Sequence, residues 1–195
     1  MMKKQKSELR KIYSERRMAL SEQDIDFFSQ KITEKIITHF HWEKIQNVHL
    51  FLPIKKKKEV NTQYLLDDLW QKGKRVFAPK VVGDFLECHE INPKTEFSEN
   101  HWGILEPMGK SLKDKISFDL VVTPLLYCDK LGNRIGYGKG FYDKFFTEIN
   151  PDTMKAGVNF FPPKEEIADV FAGDIPLDYL FTPEECFSFK SKSIK

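Results

Sequence analysis

The sequence predicts an α/β fold, a three-layer, mostly parallel open sheet with helices on both faces. Short apolar runs alternate along the chain with segments of helical periodicity. Several runs, among them NVHLFLPI (47–54) and the one within SFDLVVTPLLY (117–127), are apolar almost without interruption, as strands covered on both faces are. The 195 residues, 41% hydrophobic and 31% charged, fit a single domain over 1–195 with a sizeable core.

Taken in order, a first helix is expected over about 3–19, with Leu9, Ile12, Tyr13 and Arg16 on one face. Ser21-Glu22-Gln23-Asp24 reads as a capped helix start, and Phe28, Ile32, Ile36 and Phe40 carry that helix to about residue 40. The first buried strand is 47–54, and Lys55 to Lys58 form a loop. NTQYLLDDLWQKG is a helix capped by Asn61 or Thr62 and ended by Gly73. Strands follow at 75–82 and 85–91. Pro93, Gly103, Pro107 and Gly109 then break the pattern into loops with at most one short helix. After the strand within 117–127 comes a glycine-rich stretch and a helix to about Ile149. A strand at 155–161, a short helix at 164–171 and a final strand at 177–183 complete the chain.

Composition narrows the function. A net charge of +2 is too near neutral for a dedicated nucleic-acid binder. No apolar run approaches the roughly 18 residues that span a bilayer, and the basic N-terminus lacks the apolar core of a secretory signal. Cys88, Cys128 and Cys186 form no CxxC pair or disulfide framework, so the reduced cytoplasm is the expected compartment. His39 and His41 lie two apart at a helix end and read as structural, and none of the five histidines has metal-ligand spacing.

The segment GNRIGYGKGFYDKFF (132–146) carries the chemistry. Four glycines precede a helix start, directly after the most apolar strand. Ligands of open α/β sheets sit beyond the carboxyl ends of the strands, and helix N-termini bind phosphate through free N–H groups. The spacing fits neither a Walker A loop nor a dinucleotide fingerprint, because Gly140 follows Lys139 and the glycines run 136, 138, 140. Spacing alone leaves a phosphate cradle and a simple chain-redirecting turn both open.

DKLGNRIGYGKGFYDKFF resembles the signature of the 5-formyltetrahydrofolate cyclo-ligase family, in which a segment close to G-x-R-x-G-x-G-x-G-[FY]-Y-D follows the central strand. Three further segments resemble that family in the same order: Lys6-Ser7-Glu8-Leu9-Arg10, then Leu52-Pro53 with Glu59-Val60-Asn61-Thr62, then WGILEP (102–107). The departures are mild. Phe141 stands for a commoner tyrosine, Lys144 for a frequent arginine, and Thr123-Pro124-Leu125 for a more usual V-P-G.

The resemblance implies ATP-dependent cyclisation of 5-formyltetrahydrofolate to 5,10-methenyltetrahydrofolate, with Mg²⁺ bound beside the nucleotide. The formyl oxygen would attack the γ-phosphate, N10 would attack the activated carbon, and phosphate would leave. Such chemistry needs positioning and charge neutralisation rather than a protein nucleophile. By the resemblance, Arg134 and Lys139 are the catalytic cations. Lys6, Arg10, Arg134, Ile135, Gly136, Tyr137, Gly138, Lys139, Gly140, Phe141 and Tyr142 would hold ATP, and Arg134 could fork onto two phosphate oxygens. Ile54, Glu59, Trp102, Tyr137, Gly138, Lys139, Gly140 and Phe141 would hold the folate. Asp143 and Asp174 would hold the metal, with Asp178 close enough in sequence to compete with Asp174. The bland alternatives are a solvated basic helix face for Lys6 and Arg10, a dipole-favouring acid for Asp143, a surface charge for Glu59, and core packing for Ile54 and the aromatic residues. Lys55 to Lys58 could attract an acidic folate tail, or be merely solvated. The expected assembly is a monomer or weak homodimer, with small-molecule substrates and no nucleic-acid or membrane partner. The rivals are another ATP-dependent phosphotransfer enzyme, a non-catalytic folate- or nucleotide-binding paralogue, and an RNA-binding module.

Overall fold

The computed structural model describes residues 3–100, 103–108 and 116–189. Helices α1 (Lys6–Met18), α2 (Glu22–His39), α3 (Gln63–Gln71) and α4 (Phe141–Glu148) accompany strands β1 (Asn47–Leu50), β2 (Arg75–Val82), β3 (Phe85–Ile91), β4 (Leu120–Pro124), β5 (Met154–Val158), β6 (Tyr179–Phe181) and β7 (Cys186–Ser188). These strands form one seven-stranded sheet in the order β7-β6-β5-β4-β1-β2-β3. The interior pairs are parallel, while β3 and β7 close the two edges antiparallel.

Strand alternation distributes the core between two faces. Val48, Leu50, Val76, Leu120 and Val122 point to one face, where α2 and α3 pack with Ile25, Ile32, Ile36, Leu65, Leu66 and Leu69. Phe77 and Val121 point to the other, against Phe145 and Phe146 of α4. Each such aliphatic, fully buried, contributes about 1.5–3 kcal/mol. The capping box that starts α2, where Ser21 and Asp24 satisfy each other's backbone N–H groups, adds only about 1 kcal/mol. Packing therefore holds these helices, and the cap sets where α2 begins.

α1 belongs to neither layer. Leu9 and Tyr13 pack on Leu126, Tyr127, Ile135 and Ile167, at the carboxyl end of the sheet. Its buried stripe is Leu9, Tyr13 and Arg17, so Arg17 faces inward where the sequence pointed to Arg16. Arg17, one step of four beyond Tyr13, remains close enough to the Tyr13 face to reach Tyr137 and the Leu125 carbonyl.

Other boundaries also differ from expectation. β1 stops at Leu50, and 51–54 peel away from the sheet. The region after β3 contains a hairpin, Phe97–Glu99 with Leu105–Pro107, and no helix among its described residues. The expected helix at 164–171 is absent. Glu166–Ile167 instead pairs in parallel with Lys3–Lys4, and only Ile167 there belongs to the buried core. Eight residues form a helix only with a buried face to support it, and Tyr127 claims both the N–H and the carbonyl of Glu165. The final strand is shorter than read from sequence, and β7 follows it unanticipated. His39 packs against Phe40, Tyr179 and Phe181, in keeping with a structural role.

Candidate active site

Strand order reverses between β1 and β4, since β1 leads toward β2 on one side and β4 toward β5 on the other. The crevice beyond the carboxyl ends at such a switch point is where α/β sheets bind ligands. A cleft of about 570 Å³ lies there. Phe51, Leu52 and Ile54 after β1 and Pro124 ending β4 line its floor, and Pro79, Val81 and Leu86 of the β2–β3 hairpin form a wall.

The glycine-rich loop enters the cleft because a small hairpin, Tyr127–Cys128 with Arg134–Ile135, turns the chain beneath α1. Buried Asp129 fixes that turn by accepting from the backbone N–H groups of Leu131 and Asn133. Arg10 of α1 then donates to the Gly136 carbonyl at 2.9 Å. Gly138 and Gly140 have φ of +89° and +70°, a region that disfavours any side chain. Gly140 is also the N-cap of α4, with no side-chain cap. The first-turn N–H groups of α4 thus face the cleft end of the helix without an internal partner, carrying the positive end of its dipole.

Lys6, Arg10, Ile54, Glu59, Arg134 through Asp143, and Asp174 all line this one cleft; Trp102 lies outside the described residues. Lys139 is exposed and makes no hydrogen bond or ion pair among the described residues. Lys6 Nζ bonds the Asp174 carboxylate, which also accepts from the Phe171 N–H at 2.7 Å. Asp178 sits elsewhere, receiving the Lys155 N–H at 2.7 Å between β5 and β6. Of the two aspartates, Asp174 is the one that lines the cleft.

Arg134, the expected phosphate fork, lines the cleft and is held within the protein. One terminal nitrogen donates to the Ile175 carbonyl and the other to Asp143 at 2.8 Å. Burial lowers its pKa, and Asp143 beside it counters that shift. Tyr142 turns inward, its ring against His49 and Phe145 and its hydroxyl buried with no partner among the described residues.

Glu59 is a buried carboxylate, 4% exposed. It accepts from the Ile54 N–H at 2.7 Å and from the Tyr137 hydroxyl. Desolvation raises its pKa, opposed by these hydrogen bonds and by Arg17 and Lys57. Sequence reasoning missed Arg17 and Phe171, and it singled out Lys57 only within the Lys55 to Lys58 run, for an acidic tail. Arg17 was hidden in a basic helix, though its position four residues after Tyr13 was a usable signal.

A family model for the 5-formyltetrahydrofolate cyclo-ligase family matches residues 2–171. The chain belongs to that family. The Schizosaccharomyces pombe protein named probable 5-formyltetrahydrofolate cyclo-ligase is 32% identical over 94% of this chain and 98% of its own. The solution structure of the Aquifex aeolicus 5,10-methenyltetrahydrofolate synthetase superposes with a TM-score of 0.79 at 29% identity, covering 97% of this chain and 96% of that one. The Mycoplasma pneumoniae 5,10-methenyltetrahydrofolate synthetase gives 0.72 at 25% identity, covering 92% and 99%. Family and fold together support the general cyclo-ligase reaction. No helix among the described residues is long and apolar enough to cross a membrane.

The residues of the cleft fit a Mg²⁺ ion carried by a nucleotide. The described residues contain no cluster of three or more His, Cys, Asp or Glu that would cage a metal alone. Mg²⁺ in phosphoryl-transfer sites takes only one or two carboxylates and completes its shell with phosphate and water. Asp143 uses Oδ1 for Arg134 and the Ile175 N–H, leaving Oδ2 without a partner among the described residues.

Proposed function

We propose that the protein converts 5-formyltetrahydrofolate and ATP to 5,10-methenyltetrahydrofolate, ADP and phosphate. One observation carries this reading. A single cleft joins an electropositive end, built from the uncapped α4 N-terminus and unpaired Lys139, to an apolar end that holds the buried carboxylate Glu59. A triphosphate suits the first end. The N–H edge of a flat pterin suits the second, since a carboxylate accepts two parallel hydrogen bonds.

The N5-formyl group is an amide, and N10 cannot expel oxide from it. Transfer of the γ-phosphoryl group to the formyl oxygen makes that oxygen a leaving group. N10 then attacks the carbon and gives up its proton, the C–O bond breaks, and phosphate departs with the oxygen and takes up that proton. The substrate supplies both nucleophiles, so the protein's task is alignment and charge neutralisation. Lys139 and the α4 N–H groups neutralise charge on the phosphate oxygens. Arg10 holds the loop in register through Gly136, and Arg134 aims Asp143. Mg²⁺, when bound through Asp143 and Asp174, supplies further charge neutralisation at the phosphates. Phe141 and Ile54 offer apolar walls to the folate rings.

The test is near-UV absorbance of the methenyl product in a mixture of protein, MgATP and 5-formyltetrahydrofolate. An ATP-dependent rise, one product per ADP, is expected; no rise overturns the reading.

A further inference from the structure

Arg17 is 4% exposed, although it lies on a helix with abundant solvated basic residues. Its terminal nitrogens reach two acceptors. One donates to the Tyr137 hydroxyl at 2.6 Å and the other to the Leu125 carbonyl at a long 3.4 Å. Its Nε has no partner among the described residues. A buried guanidinium so incompletely satisfied is a poor stabiliser, and an apolar side chain would serve the fold as well or better. Arg17 therefore calls for another explanation.

The Tyr137 hydroxyl that accepts from Arg17 donates onward to Glu59 Oε1. The other carboxylate oxygen is fixed by the Ile54 N–H. The groups facing Glu59 are thus Tyr137 and Tyr142 of the glycine loop and α4, Arg17 of α1, and Lys57 after β1. Lys57 lies over the Tyr137 ring with Nζ 3.9 Å from its centre and is only half-buried, so its charge is partly screened. Arg17 is the one fully buried cation of the set, and it opposes the desolvation of the carboxylate.

Resting on the cyclo-ligase reading for the ligand, we propose that Arg17 is a positioning residue for the folate: through Tyr137 it keeps Glu59 ionised and oriented to accept from the pterin N–H edge. A neutral Glu59 would present a donor to that edge and lose one of the two hydrogen bonds. The network also links α1 to the substrate pocket, so the helix that holds the nucleotide loop through Arg10 sets the folate end through Arg17.

The test is a titration of Glu59 by NMR in protein labelled with ¹³C at the glutamate carboxyls, the signal being assigned with Glu59→Gln. Wild type, Arg17→Met and Arg17→Lys are compared, with Arg17→Gln in place of Met should that variant not fold. Removing the charge should raise the Glu59 midpoint by about one pH unit, and lysine should restore most of the difference. Kd and KM for 5-formyltetrahydrofolate should rise about tenfold at pH below the wild-type midpoint, one pKa unit being a factor of ten, and by less at neutral pH, with kcat nearly unchanged and the acid limb of binding moved upward. An unmoved midpoint, or an unmoved acid limb with only Tm lowered, overturns the proposal. A moved midpoint in a protein whose wild type binds no folate overturns the role in substrate positioning. That result counts against the cyclo-ligase reading itself, while the coupling of Arg17 to Glu59 stands.

Discussion

Arg134 and Asp143 form a 2.8 Å ion pair in which the arginine side chain is only 6% exposed. Asp143 also receives the Ile175 N–H, so one carboxylate ties the glycine loop to the segment that carries Asp174. Asp143→Ala leaves a buried guanidinium and a backbone donor unpaired, a loss of about 1–3 kcal/mol. The variant should unfold at lower urea and need more Mg²⁺ for half-maximal turnover. A change in stability with an unaltered Mg²⁺ requirement would confine Asp143 to a structural role.

Lys139 should behave in the opposite way. It touches nothing among the described residues that its loss would disturb, so Lys139→Ala should melt with the wild type. Turnover should fall about 10²–10³-fold, as for removal of one donor to developing charge. Calorimetry beside steady-state kinetics separates the two effects, and a fall in turnover below tenfold would exclude the lysine from the reacting phosphate.

The glycines divide into two kinds. Gly138 needs its positive φ, and a Cβ there would lie 3.5 Å from the Arg10 guanidinium, so Gly138→Ala should cost about 1–3 kcal/mol of backbone strain. Gly136 has no positive φ, and a Cβ on it meets nothing within 4 Å. Gly136→Ala should keep the wild-type Tm yet raise KM for ATP, because in the proposed reaction that space takes the phosphates. Equal KM in Gly136→Ala and wild type would move the triphosphate off that part of the loop.

Acid should destabilise the protein through His49, which lies buried among Phe118, Tyr142 and Phe145. Desolvation lowers its pKa to about 3 from 6.5. Below 6.5 the unfolded chain takes up a proton that the folded chain refuses. The stability this residue confers is therefore full at neutral pH and declines as pH falls toward 3, by at most about 1.4 kcal/mol per unit. His49→Phe should flatten the wild-type stability curve over pH 6.5 to 3 in urea unfolding. Parallel curves for the two proteins would contradict this assignment.

The interior of the sheet was legible because β1, β4 and β5 are buried on both faces, and such runs stay apolar; β2 and β3 match their expected limits residue for residue, although their outer residues are exposed. The glycine-rich loop ahead of α4 was legible because Gly138, Gly140 and the start of α4 are local features of sequence. What stayed hidden depends on distant partners. Glu165 and Ile167 looked helical until Tyr127 and the Lys3–Lys4 strand claimed their backbone. The partners that hold Arg134 were not legible, since nothing in sequence places the Ile175 carbonyl beside it. Arg17 looked solvated among other cations, and only the fold brings Tyr137 and Glu59, 120 and 78 residues apart from their partners in the chain, onto one line.

The central claim is that the formyl oxygen is the phosphoryl acceptor within this cleft. It is tested most directly with 5-formyltetrahydrofolate carrying ¹⁸O in the formyl group, by mass spectrometry of the phosphate released during turnover with MgATP. The account predicts one ¹⁸O in each phosphate formed alongside the methenyl product. Unlabelled phosphate, with the ¹⁸O lost to water, would contradict it.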